Sequence, residues 1–319
     1  MTMRFSLLTL GLAAVSQLSQ AVPLVKRADA TEAANVGFAT TNGGTTGGAG
    51  GSTVTVSNIA DLQTALSGDA PAIVIIDGAI SGTEKVRVGS NKSILGKDSN
   101  AKISGFGFYI KGVRNVIVRN LSIAKVEAAN GDAIGIEAST NVWVDHCDLS
   151  SDMAHDKDFY DGLLDITHGS DFVTVSNTHL HDHFKASLVG HSDSNEVEDR
   201  GTLHVTYANN YWSNINSRGP SFRFGTGHIF NSVYENVSDG INTRLGAELL
   251  VESNVFSGGK KALYATNEGF AVEKDNDFGG AESSAPEGSL TTVPYQYTLL
   301  GSGGVKSAVV GTAGATLVF

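Results

Sequence analysis

Asn115-Val-Ile-Val-Arg-Asn-Leu-Ser-Ile123 and Asn141-Val-Trp-Val-Asp-His-Cys-Asp-Leu149 are two copies of one pattern: a short apolar strand, a polar step, then a closing apolar residue. The pattern returns in Phe172-Val-Thr-Val-Ser-Asn-Thr-His-Leu180, His204-Val-Thr-Tyr-Ala-Asn-Asn-Tyr-Trp212, His228-Ile-Phe-Asn-Ser-Val-Tyr234 and Leu250-Val-Glu-Ser-Asn-Val-Phe256. Aligned on the closing residue, the copies fall about 22 to 32 residues apart, the period of a stacked repeat. The polar step is occupied by Asn120, His146, Asn177, Asn209, Asn231 and Ser253, with Thr178, Asn210 and Asn254 one position on. Asparagine tolerates left-handed backbone and can bond to the amide of the next coil, so it suits the corners of such a stack. The fold class predicted is all-β, a parallel β-helix in which each turn covers the last. An antiparallel sandwich with Gly-rich turns is the competing architecture, and the fixed offset of the polar step argues against it.

Working outward, the copies ending at Leu149, Leu180 and Trp212 are the longest, so insertions concentrate there. In a solenoid such loops leave from one face and build the binding cleft. Upstream, Ser57 and Asn58 are cap residues ahead of Ile59, Leu62, Ala65 and Leu66, whose spacing predicts one short helix at the N-terminal end. A buried strand follows at 72–76, and residues 38–53 read as irregular coil. After residue 275 the repeat fades. The segment 275–319, with alternating stretches such as 308–310, is expected to pack across the outside or cap an end.

Composition agrees with a turn-rich β protein: 38 Gly, 5 Pro and 17% charged residues in 319. Met1 to Ala21 reads as a secretory leader, with Arg4 ahead of the apolar run Leu7 to Val15. That run is too short to span a bilayer. Lys26-Arg27 resembles a dibasic processing site, which makes 22–27 a short propeptide and 28–319 a single catalytic domain. Arg4, Lys26 and Arg27 are the only charges before residue 28, so their removal takes the formal net charge from -11 to about -14. Nucleic acid and anionic membrane are therefore unsuitable partners. Monomer is the default state. Cys147 is the only cysteine, expected as a free buried thiol. Asn91, Asn120 and Asn236 open Asn-X-Ser acceptors, Asn120 within an apolar strand pattern and so the least accessible.

Three acids fall in the long coils: Asp132, Asp161 and Asp165. Carboxylate oxygens without Cys or paired His favour Ca²⁺ over zinc or copper. In an extended strand Asp161, Leu163 and Asp165 share one face, but four residues then span about 13 Å. The chain must bend, at Gly162, for both acids to reach one ion. Solvated aspartates on a rim are the plain alternative. Lys185 follows one coil on, and Asn216-Ser-Arg-Gly-Pro-Ser-Phe-Arg223 places Arg218 and Arg223 around a Gly-Pro bend. Coils stack about 4.8 Å apart, so acids, lysine and arginines can line one trough suited to a polyanion bridged by metal. The histidines at 146, 168, 179, 181, 183 and 191 give no recognisable metal-ligand spacing. His146 is expected to make a packing hydrogen bond beneath the site.

Trp143-Val-Asp-His-Cys-Asp148, Tyr160-Asp-Gly-Leu-Leu-Asp165, Thr174-Val-Ser-Asn177, Lys185 through Asp193 and Arg218-Gly-Pro-Ser-Phe-Arg223 together resemble pectate lyases of the right-handed parallel β-helix type. The resemblance runs from about Ile59 to Phe256, and the nearest picture is a secreted fungal enzyme. It implies calcium ligands at Asp132, Asp161 and Asp165, a base at Arg218, and substrate-carboxylate binders at Lys185 and Arg223. Asn130 stands where some members place another acid. Thr167 departs from members with a lysine there. The implied reaction is endo-acting, Ca²⁺-dependent β-elimination in polygalacturonate. Lys185 is the competing base, because arginine normally stays protonated. Pectin lyases share the coil but lack this calcium site. A glycoside hydrolase on the same coil needs only paired carboxylates, and a non-catalytic pectin-binding solenoid would release no product.

Overall fold

The computed structural model describes Met1 and residues 27–319. Apart from Met1, the expected leader and the segment up to Lys26 lie outside the described residues. Beyond the first turn, successive turns of the chain lay strands on three parallel sheets, of ten, nine and eight strands, and the whole is a right-handed parallel β-helix. The apolar strand of the repeat falls in the ten-stranded sheet. There Thr140–Asp145 lies between Arg114–Arg119 and Asp171–Ser176, with Val142 opposite Val116 and Val173. The closing residues Ile123, Leu149, Leu180, Trp212, Tyr234 and Phe256 fall in register in the eight-stranded sheet. All six are buried in one continuous core. Towards the C-terminal end the column becomes aromatic: Tyr234 stacks on Phe256 at 4.2 Å and 4°.

The polar step turns the corner between these two sheets. Asn120, His146, Asn177, Asn209, Asn231 and Ser253 all have left-handed backbone, with φ between 48° and 59°. Their N–H groups still donate to the next coil, as Asn177 does to the Ala208 carbonyl at 3.0 Å. One position on, the side chains turn inward and form a second ladder. The N–H of Thr178 donates to Asn210 Oδ1 at 2.9 Å, and that of Ser232 to Asn254 Oδ1 at 2.9 Å. The Nδ2 of Asn254 donates back to the Ile229 carbonyl at 3.0 Å. Buried polar groups are tolerated here because each finds its partner in the adjacent turn. Cys147 occupies the same inward position as a buried free thiol, pushed up to about 12 by burial. His146 does make a hydrogen bond, to Asp145 at 2.7 Å, but on this corner rather than beneath the carboxylates.

The ends and two of the three outer faces are covered. The helix Ile59–Leu66 forms as predicted, with Asn58 accepting from the Asp61 N–H at 3.0 Å. Leu62 and Leu66 plug the N-terminal end of the core. Residues 38–53 contain more order than expected: a single turn at Phe38–Thr40, and a first strand from Ser52. Ala39 packs with Ile73, Leu95, Ile117 and Trp143 on the outside of the ten-stranded sheet. At the other end Phe278, Ala281 and Ala285 pack against the core. The C-terminal segment then runs back along the outside. Ser302–Val309 is a helix, not the alternating stretch read at 308–310, because Val305 and Val309 share one face over Val233. Among the described residues, the outer face of the nine-stranded sheet is left open.

Candidate active site

Outward positions on the nine-stranded sheet form rows across the turns. One row is Tyr109, Gly135, Asp165 and Leu188; another is Lys111, Glu137 and Thr167. Arg223 and Arg244 pair in register further along. Asp165 sits on Leu164–Thr167, where Leu164 and Ile166 point inward. Asp161 precedes that strand. Leu163 does not share its face as predicted: it is 1% exposed and packs in the core beside Leu164. The chain therefore bends between Gly162 and Leu163, which removes the objection that an extended segment would hold the two acids apart.

Gly162 shows how closely two of the acids, Asp132 and Asp165, approach each other. A Cβ built on it would lie 2.5 Å from Asp165 Oδ1 and 2.9 Å from Asp132 Oδ1. Its N–H donates to Asp132 Oδ1 at 2.8 Å, and the Leu188 N–H donates to Asp165 Oδ1 at 2.9 Å. Burial, then the charge of Asp161, pushes Asp132 up to about 6. Burial, then the charge of Asp132, raises Asp165 well above the ordinary carboxylate range. Desolvated like charges crowded this way are unfavourable alone and favour a shared cation. All the donors are hard oxygens, so Ca²⁺ fits the set.

The cations close the other side. Arg218 lies between the strands Tyr211–Ser217 and Ser221–Arg223, at the rim predicted from Pro220. Its Nη1 is 3.9 Å from Asp165 Oδ2. Lys185 Nζ is 3.1 Å from Asp158 and 3.8 Å from Asp161. Arg223 Nε holds Asp193 at 2.6 Å, and Arg244 holds the same carboxylate at 3.0 Å. Asp132, Asp161, Asp165 and Arg218 line one cleft of about 260 Å³ together with Lys85, Glu137, Thr167 and His191. Lys185 joins it through Asp161, whereas Arg223 stands further along the open sheet beside Arg244. Asn130 is spent on the Gly105 carbonyl at 2.9 Å. Thr167 is on the cleft wall and brings no charge; Lys85 and His191 stand in the same cleft. Lys85, Asp158, Asp193 and Arg244 were not singled out from the sequence. Only Arg244 had a legible signal, one turn after Arg223 at the matching offset.

A parallel β-helix whose open sheet carries a mixed-charge cleft defines a solenoid protein with its candidate site on an uncovered face. Residues 6–317 match the family model described as pectate lyase, and the chain belongs to the pectate lyase family. It is 66% identical to a probable pectate lyase A of Aspergillus niger over 92% of this chain and 91% of that relative. It is 65% identical to pectate lyase A of Emericella nidulans over 92% of this chain and 90% of that relative. Among solved structures it is similar to a pectate lyase from Bacillus sp. N165 in complex with trigalacturonate. That match has a TM-score of 0.80 and 29% identity, over 88% of this chain and 98% of the other. The chain is accordingly an enzyme, a carbon–oxygen lyase of the pectate lyase family.

Proposed function

We propose that this enzyme is secreted as residues 28–319, one catalytic domain, and cleaves α-1,4-linked polygalacturonate internally by Ca²⁺-dependent β-elimination. The observation that carries the reading is that Asp132, Asp161 and Asp165 line one cleft with Arg218, with Asp132 and Asp165 closely packed about Gly162. The three aspartates would hold Ca²⁺. Its charge would stabilise the negative charge that develops on the uronate carboxylate as the C5 proton leaves. Lys185 and Arg223 would bind neighbouring substrate carboxylates, Arg223 exchanging Asp193, which is 52% exposed, for substrate. Arg218, acting as the neutral guanidine rather than in its usual protonated form, would take the C5 proton and become guanidinium, while the C5–H electron pair forms the 4,5 double bond and O4 departs, protonated by solvent. Geometry favours Arg218 over Lys185 as base, because Lys185 is engaged by Asp158 and Asp161 whereas the contact of Arg218 with Asp165 is long. A cleft on an uncovered sheet face suits cutting within a chain. Among the three acceptor asparagines, Asn236 is the exposed one, while Asn120 is buried and donates to Gly96 and Leu317.

Polygalacturonate and highly methylated pectin, each with and without Ca²⁺, separate the readings. Ultraviolet absorbance of unsaturated product should rise only with polygalacturonate and Ca²⁺, and chelator should abolish it. Saturated reducing ends formed in chelator would indicate a hydrolase; binding without product would indicate a non-catalytic solenoid. Arg218→Lys should lower turnover by about 10²–10⁴, the usual contribution of a positioned base. Full activity of that variant at neutral pH would transfer the role elsewhere.

A further inference from the structure

We propose that Asp148, His179 and His181 form a binding site for a divalent transition-metal cation of the zinc class, distinct from the carboxylate cleft. His179 and His181 are alternate residues on the strand His179–Lys185 and so leave the eight-stranded sheet on the same side. Asp148 is the register partner of His179 on the preceding turn. One ligand atom from each residue can be chosen so that all lie within 4.8 Å of one another. Asp148 Oδ2 is 3.6 Å from His179 Nδ1, and Asp148 Oδ1 is 3.4 Å from His181 Nε2. Tetrahedral zinc, with bonds of about 2.0–2.1 Å, sets its ligand atoms about 3.3–3.4 Å apart.

The groups behind these three are those a metal-ligating imidazole needs. His181 turns its other nitrogen, Nδ1, to Asp182 Oδ2 at 2.7 Å, and Asp182 in turn accepts from Asn214. His179 turns its other nitrogen, Nε2, to Ser213 Oγ at 2.9 Å. Such partners fix the tautomer that presents a lone pair to the ion. Two imidazoles and one carboxylate favour zinc-class cations over Ca²⁺. The plain alternative is a carboxylate capping protonated histidines. Burial opposes charge on His181, yet its bonds to Asp148 and Asp182 hold it above the ordinary imidazole range, so one imidazolium capped by Asp148 is the state an ion must displace. The 4.1 Å, 21° stack, where two imidazolium ions would repel, disfavours charge on both rings together. One dication among the three groups satisfies Asp148 without that repulsion.

The backbone of the returning C-terminal segment covers the cluster. Gly314 has φ 106°, and a Cβ there would lie 3.6 Å from His179 Cβ and 3.7 Å from Asp148 Oδ2. A bound ion would therefore clamp two successive turns beneath that segment, a role in stability rather than in the lyase reaction.

Chelator-treated enzyme, returned to Ca²⁺, is titrated with Zn²⁺ by calorimetry and, in parallel, with Co²⁺ by visible absorption. One saturable equivalent, a tetrahedral Co²⁺ spectrum and a Zn²⁺-dependent rise in melting temperature are expected. Asp148→Asn and the pair His179→Asn with His181→Asn should lose all three and keep Ca²⁺-dependent lyase activity. Arg218→Lys should keep all three. Absence of saturable Zn²⁺ binding in the parent, a purely octahedral Co²⁺ spectrum, or undiminished binding in the histidine pair variant would each overturn the proposal. The Co²⁺ spectrum of the parent decides even where a variant fails to fold.

Discussion

At the scale of single residues, Asp165 is the most informative group in the cleft. Its carboxyl is raised by burial and by Asp132, so its ionised form is disfavoured in the fold relative to the open chain. A carboxyl raised in the fold costs stability at neutral pH, and that cost fades as pH falls through the folded value. Asp165→Asn keeps an oxygen to accept the Leu188 N–H while deleting the charge. In chelator the variant should melt at or above the parent temperature. With Ca²⁺ the parent should gain stability and the variant should not, and lyase turnover should collapse. Scanning calorimetry with and without Ca²⁺ reads the crossing, and a variant less stable than the parent in chelator would contradict it. Asp161, Asp165 and Arg218, which all line the cleft, stood out as candidates in the sequence because short motifs carry them, and Asp132 stood out only as an acid in a long coil. A bend at Gly162 and a shared trough were also readable, from the reach of an extended segment and the stacking of turns; the inward turn of Leu163 was not, since alternation of apolar and polar residues put it on the face of Asp161 and Asp165. Lys85 was illegible for a related reason: it reaches the cleft from an early turn with no motif around it.

At the scale of elements, the inward ladder and the outer corners are separable. Asn254 accepts the Ser232 N–H and donates to the Ile229 carbonyl from a fully buried position. Asn254→Ala leaves both groups buried without this partner, costing about 2–6 kcal/mol at about 1–3 per orphaned group; chemical denaturation measures it. Glu252 tests a second element contact. Burial opposes its ionisation, yet hydrogen bonds from His228, Tyr297 and Lys274 outweigh that and bring it from 4.5 to about 2. A carboxyl lowered in the fold contributes stability above its unfolded value and loses it as pH falls through the folded one. Between about pH 4.5 and 2 the parent should lose about 3 kcal/mol from this group. Glu252→Gln should be less stable at pH 7 and show a shallower acid slope. The strand–corner–strand units were legible because the corner needs left-handed backbone, and asparagine advertises it. The helix at 302–309 was not, because its glycines and short apolar spacing look the same as a loop.

At the scale of the whole molecule, a solenoid has few contacts beyond neighbouring turns, so its cooperativity is a question in itself. Here the C-terminal segment bridges distant turns. Leu300 N–H donates to Asn231, Ser302 N–H to Asp275, Gly314 N–H to the Asn177 carbonyl, Leu317 N–H to Asn120, and Phe319 N–H to the Lys97 carbonyl. The Ala28 N–H donates to Val318, and Arg119 lies over the Phe319 ring, which joins both ends of the described stretch 27–319 to the same face. Truncation after Thr312 removes the bonds at 28, 97, 120 and 177 while leaving the helix 302–309 seated on Val233. Five lost hydrogen bonds at about 0.5–1.5 kcal/mol each amount to several kcal/mol, concentrated on the N-terminal turns. Those turns should then unfold ahead of the rest, replacing one transition by two and lowering the first by about 5 °C or more. The open sheet between Asp132 and Arg223 gains nothing from this strap, so substrate affinity below the first transition should be unchanged. A truncated enzyme melting in a single transition at the parent temperature would mean that stacking alone couples the turns.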